Sequence, residues 1–370
     1  MATAGRSETD TSPNVAARLR EAGFVRLAAA PTGDAVGAAA LLARGLAAAG
    51  TPYQLSIAPP STAERATDAD LTVGLGHAAG EPAIALDGAG PVSRRAAAIA
   101  ETLGESDPVL AAAGMIAAGE TPEGTVVAPG EESGPSLGES RPGVGTPPVS
   151  PADGLAHSTL VHAFFSGRPE RAAELHADAD EPAEDSTAGG ETVASLVALT
   201  VAEEAETPTA AEAIERFLSP RSGGPLGTVA GLADALDALA EPSPGLAAGL
   251  ALGYSDRERI IEAWRTAARA VHEAVRTAEL SRYDGLVVAE LETSAPLAPT
   301  TRLLREYRSP EPVVAVLDES TATAATPPKS GPDLAAATQS IDGAAGTPDR
   351  VRLDDPGAAE ELVAGLQEVA

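Results

Sequence analysis

Blocks of apolar residues alternate with polar turns along the first third of the chain, at lengths that suit strands and helices in turn. The mostly apolar run 25–30, interrupted by Arg26, predicts a buried strand, and the Ala- and Leu-rich segment 36–49 predicts a helix packed closely on a sheet. Further strands are predicted at 53–57, 71–75 and 83–86, further helices at 92–103 and 106–118, and a helix or turn near 61–67. Strands that alternate with helices favour a parallel, doubly wound α/β sheet.

Two segments rich in Pro, Gly, Ser and Glu interrupt this pattern. Residues 119–153 predict an exposed acidic insertion with at most a short strand at 126–127, and residues 178–191 predict a second acidic insertion. The segment 255–279 then carries apolar residues at helical spacing behind Asp256, which predicts the longest helix with Asp256 at its N-terminus. A β-α-β pattern and a glycine-rich turn follow, so we expect a second, smaller α/β unit.

The charge balance is strongly acidic. The 370 residues include 54 Asp and Glu against 25 Lys and Arg, a formal net charge of -29, and the acids are spread along the whole length. This spread is typical of a halophilic protein, because at about 1 M salt the Debye length falls to roughly 3 Å and self-repulsion is screened. With four Phe, four Tyr and one Trp, the chain has little material for a base-stacking platform, which argues against strong single-strand binding.

The residues that are missing narrow the chemistry. The sequence has no Cys, which excludes disulfides, thiolate zinc sites and cysteine nucleophiles and leaves only oxygen and histidine ligands. It also lacks a signal-peptide pattern at its start and has no apolar run near the roughly 20 residues that span a bilayer. We therefore expect a cytoplasmic protein with no membrane partner.

Two acidic residues follow predicted strands at the carboxyl edge of the sheet, where open α/β folds place their ligands. Asp34 lies in the turn after the first strand, and Asp87 follows the fourth. Either could be a metal or phosphate ligand. The alternative is a structural role: Asp34 would cap the helix that begins near Val36, and Asp87 would belong to an Asp-Gly turn. His157 and His162 lie on an apolar segment. They could be metal ligands, or they could be core residues whose hydrogen bonds are satisfied within the protein.

The order of these segments and the local texture of PTGDAVGAAALL, DPVLAAAG and GTVAGLADALDALA resemble the RecJ-like branch of the DHH phosphoesterases, in its archaeal form. The resemblance implies a DHH-type domain joined by a long helix to a smaller α/β DHH-associated domain. On this division the chain consists of a disordered tail 1–19, a DHH-like domain 20–252 with the two acidic insertions, a connecting helix 253–281 and a DHH-associated-like domain 282–370.

The resemblance also shows that most metal ligands of this family are absent. The family's first motif, His-x-Asp-x-Asp-Gly, falls on 30–35, where Asp34 is the one ligand of three that is present. The motif Asp-His-His falls on 87–89, where Asp87 is present and both histidines are replaced. The strand between them ends without an acid, and His77 is a poor substitute. Asp34 and Asp87 are therefore the remnant metal candidates.

The family's glycine-rich substrate loop, Gly-Gly-His-x-x-Ala-Ala-Gly, survives only as 342–346, again without its histidine. The resemblance implies that this segment is what remains of a phosphate loop, with the residues Gly343, Ala344, Ala345 and Gly346. Because a strand and not a helix is predicted after it, a plain structural turn is the other interpretation.

The resemblance sets the expectation for cofactors. Members of the family use two divalent cations, typically manganese, to activate water, and such a cluster needs about five or six protein ligands. Asp34 and Asp87 cannot hold two ions, although they could bind one Mg2+ weakly. We therefore expect no cofactor, and Mn2+ or Mg2+ only if some activity is retained.

Three hypotheses remain open. The favoured one is a RecJ-like single-stranded nucleic-acid exonuclease homologue that is catalytically inactive and acts as a binding or structural subunit in DNA replication or repair. Its partners would be proteins such as GINS or helicase subunits, with single-stranded nucleic acid as a weak ligand. The second is an active metal-dependent nuclease or phosphoesterase with a reduced metal site. The third is a binder of a nucleotide or oligonucleotide in the cleft between the domains.

Overall fold

The computed structural model describes residues 11–59, 68–76, 82–122, 137–179, 186–205, 207, 209–218, 220–254, 256–327 and 330–370. The predicted helix or turn near 61–67, the short strand at 126–127 and His77 lie outside these residues. Within them the chain forms two sheets, each with its own helices, and a long helix links the two sheets.

The first sheet, as far as the described ranges show it, has four parallel strands in the spatial order β2-β1-β3-β4. They are β1 (Val25–Ala29), β2 (Tyr53–Ile57), β3 (Leu71–Leu75) and β4 (Ile84–Leu86). The accompanying helices are α1 (Ser12–Glu21), α2 (Gly33–Ala49), α3 (Val92–Leu103) and α4 (Pro108–Ala117). The small side chains of α2 let it approach the buried strand β1 closely. The predicted parallel α/β architecture is confirmed.

The predicted disordered tail 1–19 is wrong from its twelfth residue onward, where helix α1 begins. Val15, Ala16 and Leu19 recur at helical spacing, and their side chains are buried in contact with α3. Burial of this short apolar stripe supplies the stabilisation that the polar composition of the segment does not suggest.

A run of helices follows the first sheet. It comprises α5 (Pro151–His157), α6 (Pro169–Ala179), α7 (Ser186–Glu204), α8 (Ala210–Leu218), α9 (Val229–Leu239) and α10 (Pro244–Leu252). Of these, α9 is buried along its whole length and contacts α2 and α4, so it lies at the centre of the large core.

The two predicted acidic insertions are shorter than expected. Helix α5 begins inside the first one, because the Ser150 hydroxyl accepts a hydrogen bond from the Asp153 amide at 3.3 Å and Pro151 suits the first turn of a helix. In the loop before it, the Gly145 amide donates to the Phe217 carbonyl at 2.7 Å, so this part is packed rather than exposed. Helices α6 and α7 likewise take in both ends of the second insertion.

Helix α11 (Arg257–Thr277) links the two sheets. Asp256 caps it as predicted, since its Oδ1 accepts a hydrogen bond from the Glu258 amide at 2.9 Å. The predicted apolar positions are all buried, namely Ile260, Ile261, Trp264, Ala268, Val271 and Val275. The long helix is therefore confirmed, while the domain limits at 252 and 281 stay predictions.

The second sheet is mixed, with the spatial order β5-β6-β7-β8-β10-β9 in the described residues. Its strands are β5 (Glu279–Tyr283), β6 (Leu286–Glu290), β7 (Val313–Leu317), β8 (Ala322–Ala325), β9 (Ala344–Thr347) and β10 (Arg350–Leu353). The helical elements are α12 (Leu297–Leu303), a π-helical turn (Leu304–Arg308), α13 (Leu334–Ala337), a 3-10 turn (Pro356–Ala358) and α14 (Ala359–Gln367).

Strands β6 and β7 are buried on both faces, which ties the second sheet to the rest of the molecule. Val287 and Val314 belong to the large core that the first sheet and the helices share. Leu286 and Val313 belong to a smaller core with α13 and α14. Among the described helices, none combines the length and the apolar character needed to cross a membrane.

Candidate functional site

The turn after β1 is held in place from the opposite side of the core. Thr32 caps α2 by accepting a hydrogen bond from the Ala35 amide at 3.3 Å, and the Gly33 amide donates to Asp237 Oδ1 of α9 at 2.9 Å. A Cβ atom at Gly33 would lie 2.8 Å from both the Asp237 backbone nitrogen and the Ala117 Cβ, so only glycine fits there. The turn is therefore a packed structural element.

Asp34 is buried in the core and caps a different helix. Its Oδ2 accepts a hydrogen bond from the Val92 amide at 2.7 Å, and its Oδ1 accepts one from the Ser93 amide at 2.9 Å, at the start of α3. Burial raises the pKa of the Asp34 carboxyl, and the hydrogen bonds from Ser93 and Val92 oppose that rise. The helix near Val36 has Thr32 as its cap instead. Both Asp34 oxygens are thus engaged by backbone amides at the start of α3.

Asp87 does not join Asp34 in a ligand cluster. It is half-buried in the turn after β4, where Arg95 Nη2 donates to the Gly88 carbonyl at 2.7 Å. No group of three or more His, Asp or Glu side chains able to hold a metal ion occurs in the described part of the chain. The residues present therefore do not fit the two-cation centre that the resemblance implies.

The predicted phosphate segment does face the β1 turn. Ala345 and Gly346 line a cavity of about 40 Å³ together with Ala30, Thr32 and Gly76. Its remaining lining residues are Pro31, Leu297, Ala298, Thr301, Thr323, Arg350, Val351 and Arg352, so it contains no carboxylate from the described residues. We call this space the cleft. Ligand pockets usually measure about 300–1,000 Å³, so the cleft has room for water and not for a nucleotide.

Of the predicted segment 342–346, Asp342 and Gly343 form a turn, as one interpretation had it, whereas residues 344–346 lie in a strand and not in a loop. They form β9, which pairs antiparallel with β10 along its whole length. A Cβ atom at Gly346 would lie 2.1 Å from the Arg350 carbonyl oxygen, so this glycine serves the close approach of the two strands.

Two ion pairs involve arginines of α12 and β10. Arg302 Nη2 of α12 donates to Asp237 Oδ2 at 2.9 Å, and both side chains are 1% exposed. Burial by itself lowers the pKa of Arg302, but the charges of Asp237, Glu306 and Asp234 reverse this and raise it. Arg352 of β10 pairs with Glu241 at 2.7 Å. Both pairs join the helical part of the molecule to the second sheet.

A second buried cluster lies in the π-helical turn. Glu306 Oε1 accepts from Arg216 Nη2 of α8 at 2.6 Å and from Arg305 Nη2 at 3.2 Å. Burial alone raises the pKa of Glu306, but the charges of Arg216, Arg305 and Arg302 outweigh it and hold the pKa below its usual value. Sequence reasoning missed this cluster, although charged residues inside the apolar segment 297–308 were a signal.

A groove of about 800 Å³ runs between α11 and the second sheet. Its charged lining residues are Glu241, Glu262, Asp318, Arg259 and Arg352, and Arg352 is already paired with Glu241. Three carboxylates against two guanidinium groups do not favour a phosphate-rich ligand. The groove therefore adds no support to nucleotide binding.

The histidines named from the sequence lie apart from the cleft lining. His157 is buried, its Nδ1 lies 3.0 Å from the Asp153 carbonyl oxygen, and its ring is tilted against Trp264 with 5.8 Å between centroids. His162 instead contacts His272, with 3.2 Å between their Nδ1 atoms. His272 was not predicted, and it lies on the helix that the sequence predicted best.

Comparison with known proteins agrees with this architecture. "Uncharacterized protein rrnAC1427" of Haloarcula marismortui is 43% identical over 369 residues, covering 95% of this chain and 95% of that protein. The chain belongs to the rrnAC1427 family. Residues 278–368 match the family described as "Uncharacterized protein rrnAC1427, C-terminal domain", which spans nearly all of the second sheet.

The fold of this rrnAC1427-family protein is also found in solved structures. CDC45 from Entamoeba histolytica superposes with a TM-score of 0.53 at 12% identity, covering 97% of this chain and 98% of that one. RecJ from Thermus thermophilus in complex with Mn2+ gives a TM-score of 0.39 at 16% identity, covering 96% of this chain and 54% of that one. The predicted RecJ-like DHH fold is confirmed, and the CDC45 superposition carries that assignment.

Proposed function

We propose that this rrnAC1427-family protein is a catalytically inactive homologue of RecJ-like exonucleases that acts as a binding or structural subunit in DNA replication or repair. The observation that carries the proposal is the donor set around the cleft. The β1 turn and β9 present Ala30, Thr32, Ala345 and Gly346 to each other, where metal chemistry would need several carboxylate or imidazole ligands.

The two surviving acids support the same conclusion. Asp34 uses both oxygens to cap α3, and Asp87 lies in a separate turn. A carboxylate that must keep two backbone amides satisfied in the core has a structural task that explains its presence without catalysis.

The small size of the cleft is the second support. Arg352, which pairs with Glu241, lines a space of about 40 Å³, and the buried Arg302–Asp237 pair ties α12 to α9 in the core. A space of this size has no room for a nucleotide beside the β1 turn.

The direct test is a nuclease assay. We expect purified protein in about 2–3 M KCl with Mn2+ to leave end-labelled single-stranded DNA and RNA intact. Asp34→Asn and Asp87→Asn serve as matched variants, since each removes one surviving acid at nearly constant volume. Manganese-dependent cleavage that is lost in either variant would instead show an active enzyme with a reduced metal site.

The proposed role needs its own test. A tagged chromosomal copy, purified from the native host in high-salt buffer, should bring down replication or repair proteins such as GINS or helicase subunits. The same tag on an unrelated acidic protein from that host is the control for nonspecific capture. Recovery of the protein alone would contradict a role as a subunit, even if the protein proves inactive.

A further inference from the structure

A second cavity lies where the helical part meets the π-helical turn. It measures about 260 Å³ and is separate from the cleft, with different lining residues. We call this space the His–Arg pocket. Its lining residues include His162, Phe164, Arg168, Glu204, Arg276 and Arg308. These residues come from the loop between α5 and α6, the end of α7, the end of α11 and the end of the π-helical turn.

The charge of the His–Arg pocket is opposite to that of the chain. Arg168, Arg276 and Arg308 line it against one carboxylate, Glu204, although acids outnumber bases by 54 to 25 in the whole sequence. Glu204 Oε2 is engaged by the Phe164 amide at 2.8 Å. Arg276 also pairs with Glu273, whereas Arg168 and Arg308 have no carboxylate partner within the described residues.

Each of the three guanidinium groups donates a hydrogen bond to a backbone carbonyl. Arg308 Nη1 donates to the Val275 carbonyl at 2.7 Å, and Arg276 Nη1 donates to the Ser166 carbonyl at 3.1 Å. Arg168 Nη1 donates to the Phe164 carbonyl at 3.4 Å. Because each guanidinium has five N–H donors, most donors are left over for a ligand. An anion would therefore meet a site that is already organised.

The pair of histidines gives the pocket one acceptor. His272 Nε2 lies 3.0 Å from the Ser158 carbonyl, so it carries the proton and donates. Burial lowers the pKa of His272, and burial together with Arg308, Arg276 and Arg168 lowers that of His162 to about 3, so both rings are neutral. His272 Nδ1 is then an acceptor, and His162 Nδ1 donates to it across 3.2 Å. His162 Nε2 is left as an acceptor.

We propose that the His–Arg pocket binds a small phosphate-bearing ligand. Three guanidinium groups match the oxygens of a phosphate, and a P–OH group supplies the proton that the His162 acceptor needs. A carboxylate ionised at neutral pH has no such proton. The ligand is either free phosphate, which keeps a P–OH group at neutral pH, or a small phosphorylated compound bound as its monoanion, whose organic part would contact Phe164, 37% exposed at the pocket.

Calorimetric titration of the whole chain with inorganic phosphate, in about 2–3 M KCl at neutral pH, tests the proposal. We expect saturable binding with one phosphate per chain. Arg168→Gln and Arg308→Gln should each weaken it by about tenfold or more, because each removes charge-assisted hydrogen bonds. Arg269→Gln is the matched control: it is an exposed arginine of α11 outside the pocket, and it should leave the affinity unchanged.

Two further ligands sharpen the result. Sulfate, which has no proton to donate, should bind about tenfold more weakly than phosphate because the His162 acceptor stays unmatched. A nucleoside monophosphate that binds more tightly than phosphate would identify a phosphorylated compound as the ligand, and weaker binding would identify free phosphate. Absence of phosphate binding, equal binding of sulfate, or affinity that survives both arginine substitutions in folded protein would each overturn the proposal.

Discussion

The cleft and the His–Arg pocket both contain arginines at a junction between the helical part and the second sheet, yet their charges are used differently. Arg352, which lines the cleft of about 40 Å³, pairs with Glu241, and Arg302 pairs with Asp237 in the core. In the pocket, Arg168 and Arg308 bond to backbone carbonyls around about 260 Å³. A buried guanidinium with a carboxylate partner fixes two elements together, whereas one held by a carbonyl keeps its charge for a ligand.

If the protein is inactive as proposed, this difference shows how its fold serves a purpose other than catalysis. The carboxyl edge of the first sheet, where an open α/β fold places its ligands, is a packed joint. The arginines of the His–Arg pocket lie apart from that joint. Substitutions can test whether the joint stabilises the fold and whether the pocket residues do not.

The largest effect should come from Asp237. Asp237→Ala leaves Arg302 charged and without its carboxylate partner in the core, and it also frees the Gly33 amide. We expect the free energy of unfolding to fall by about 3–5 kcal/mol. Urea denaturation in about 3 M KCl measures it.

Two controls accompany this change. Asp237→Asn keeps an acceptor for the Gly33 amide and should cost less than the alanine. Replacement of both partners, Asp237→Leu with Arg302→Met, should recover part of the loss because neither member of the pair is left as an unpaired buried charge. A loss below about 1 kcal/mol for Asp237→Ala would show that the joint does not depend on this pair.

Asp34 and Asp87 should differ in stability although both survive from metal motifs. Asp34→Ala leaves the Val92 and Ser93 amides without an acceptor in the core. We therefore expect the free energy of unfolding to fall by about 2 kcal/mol. Asp87→Ala should change the free energy of unfolding by less than about 0.5 kcal/mol. Thermal unfolding in high salt compares the two. Equal effects would contradict the capping role of Asp34.

The neutral histidines predict a pH dependence. His162 and His272 have lowered pKa values in the folded protein, so the unfolded chain binds more protons below its own histidine pKa of about 6.5. Stability should therefore fall as the pH drops from about 6.5 toward about 3, by at most about 1.4 kcal/mol per pH unit for each histidine.

The variant His162→Asn isolates this contribution. Burial raises the pKa values of Asp34 and Asp234, so these two residues stabilise the folded protein as the pH falls, opposite to the histidines. The pH dependence of the variant is therefore compared with that of the unmodified protein, in which the aspartates are the same. We expect the variant's stability to depend less steeply on pH between about 6.5 and 4. Parallel curves would mean that His162 is charged in the folded protein.

A smaller effect than that of Asp34→Ala should appear at the turn before β9. Gly343 has a φ of +80°, so Gly343→Ala should cost about 1 kcal/mol through backbone strain. Binding of phosphate should not change, since Gly343 does not line the His–Arg pocket. Gly245→Ala on helix α10, where an added Cβ meets open space, is the control. A loss of phosphate binding in Gly343→Ala would show that the phosphate site includes this segment and not the His–Arg pocket alone.

Local patterns in the sequence were enough for the regular elements. The strand at β1, the small-residue helix α2 and the long helix behind Asp256 follow from apolar spacing and from a capping residue two positions away from its partner. The short helix α1 was missed, because its stripe of three buried residues is too brief to stand out in a polar segment.

The absent ligands of the metal motifs could also be read from the sequence, because a missing side chain cannot be supplied by folding. The contacts made by the acids and histidines that are present could not be predicted from the sequence. Asp34 finds its two amides 58 and 59 residues later, and His162 finds His272 across 110 residues. Such contacts depend on how helices cross in the core, which local spacing does not encode. Composition and motifs thus determined which metal-ligating residue types this chain lacks at those positions, and only the tertiary structure decided that Asp34 caps a helix, that Asp237 joins two helices and that arginines line a pocket.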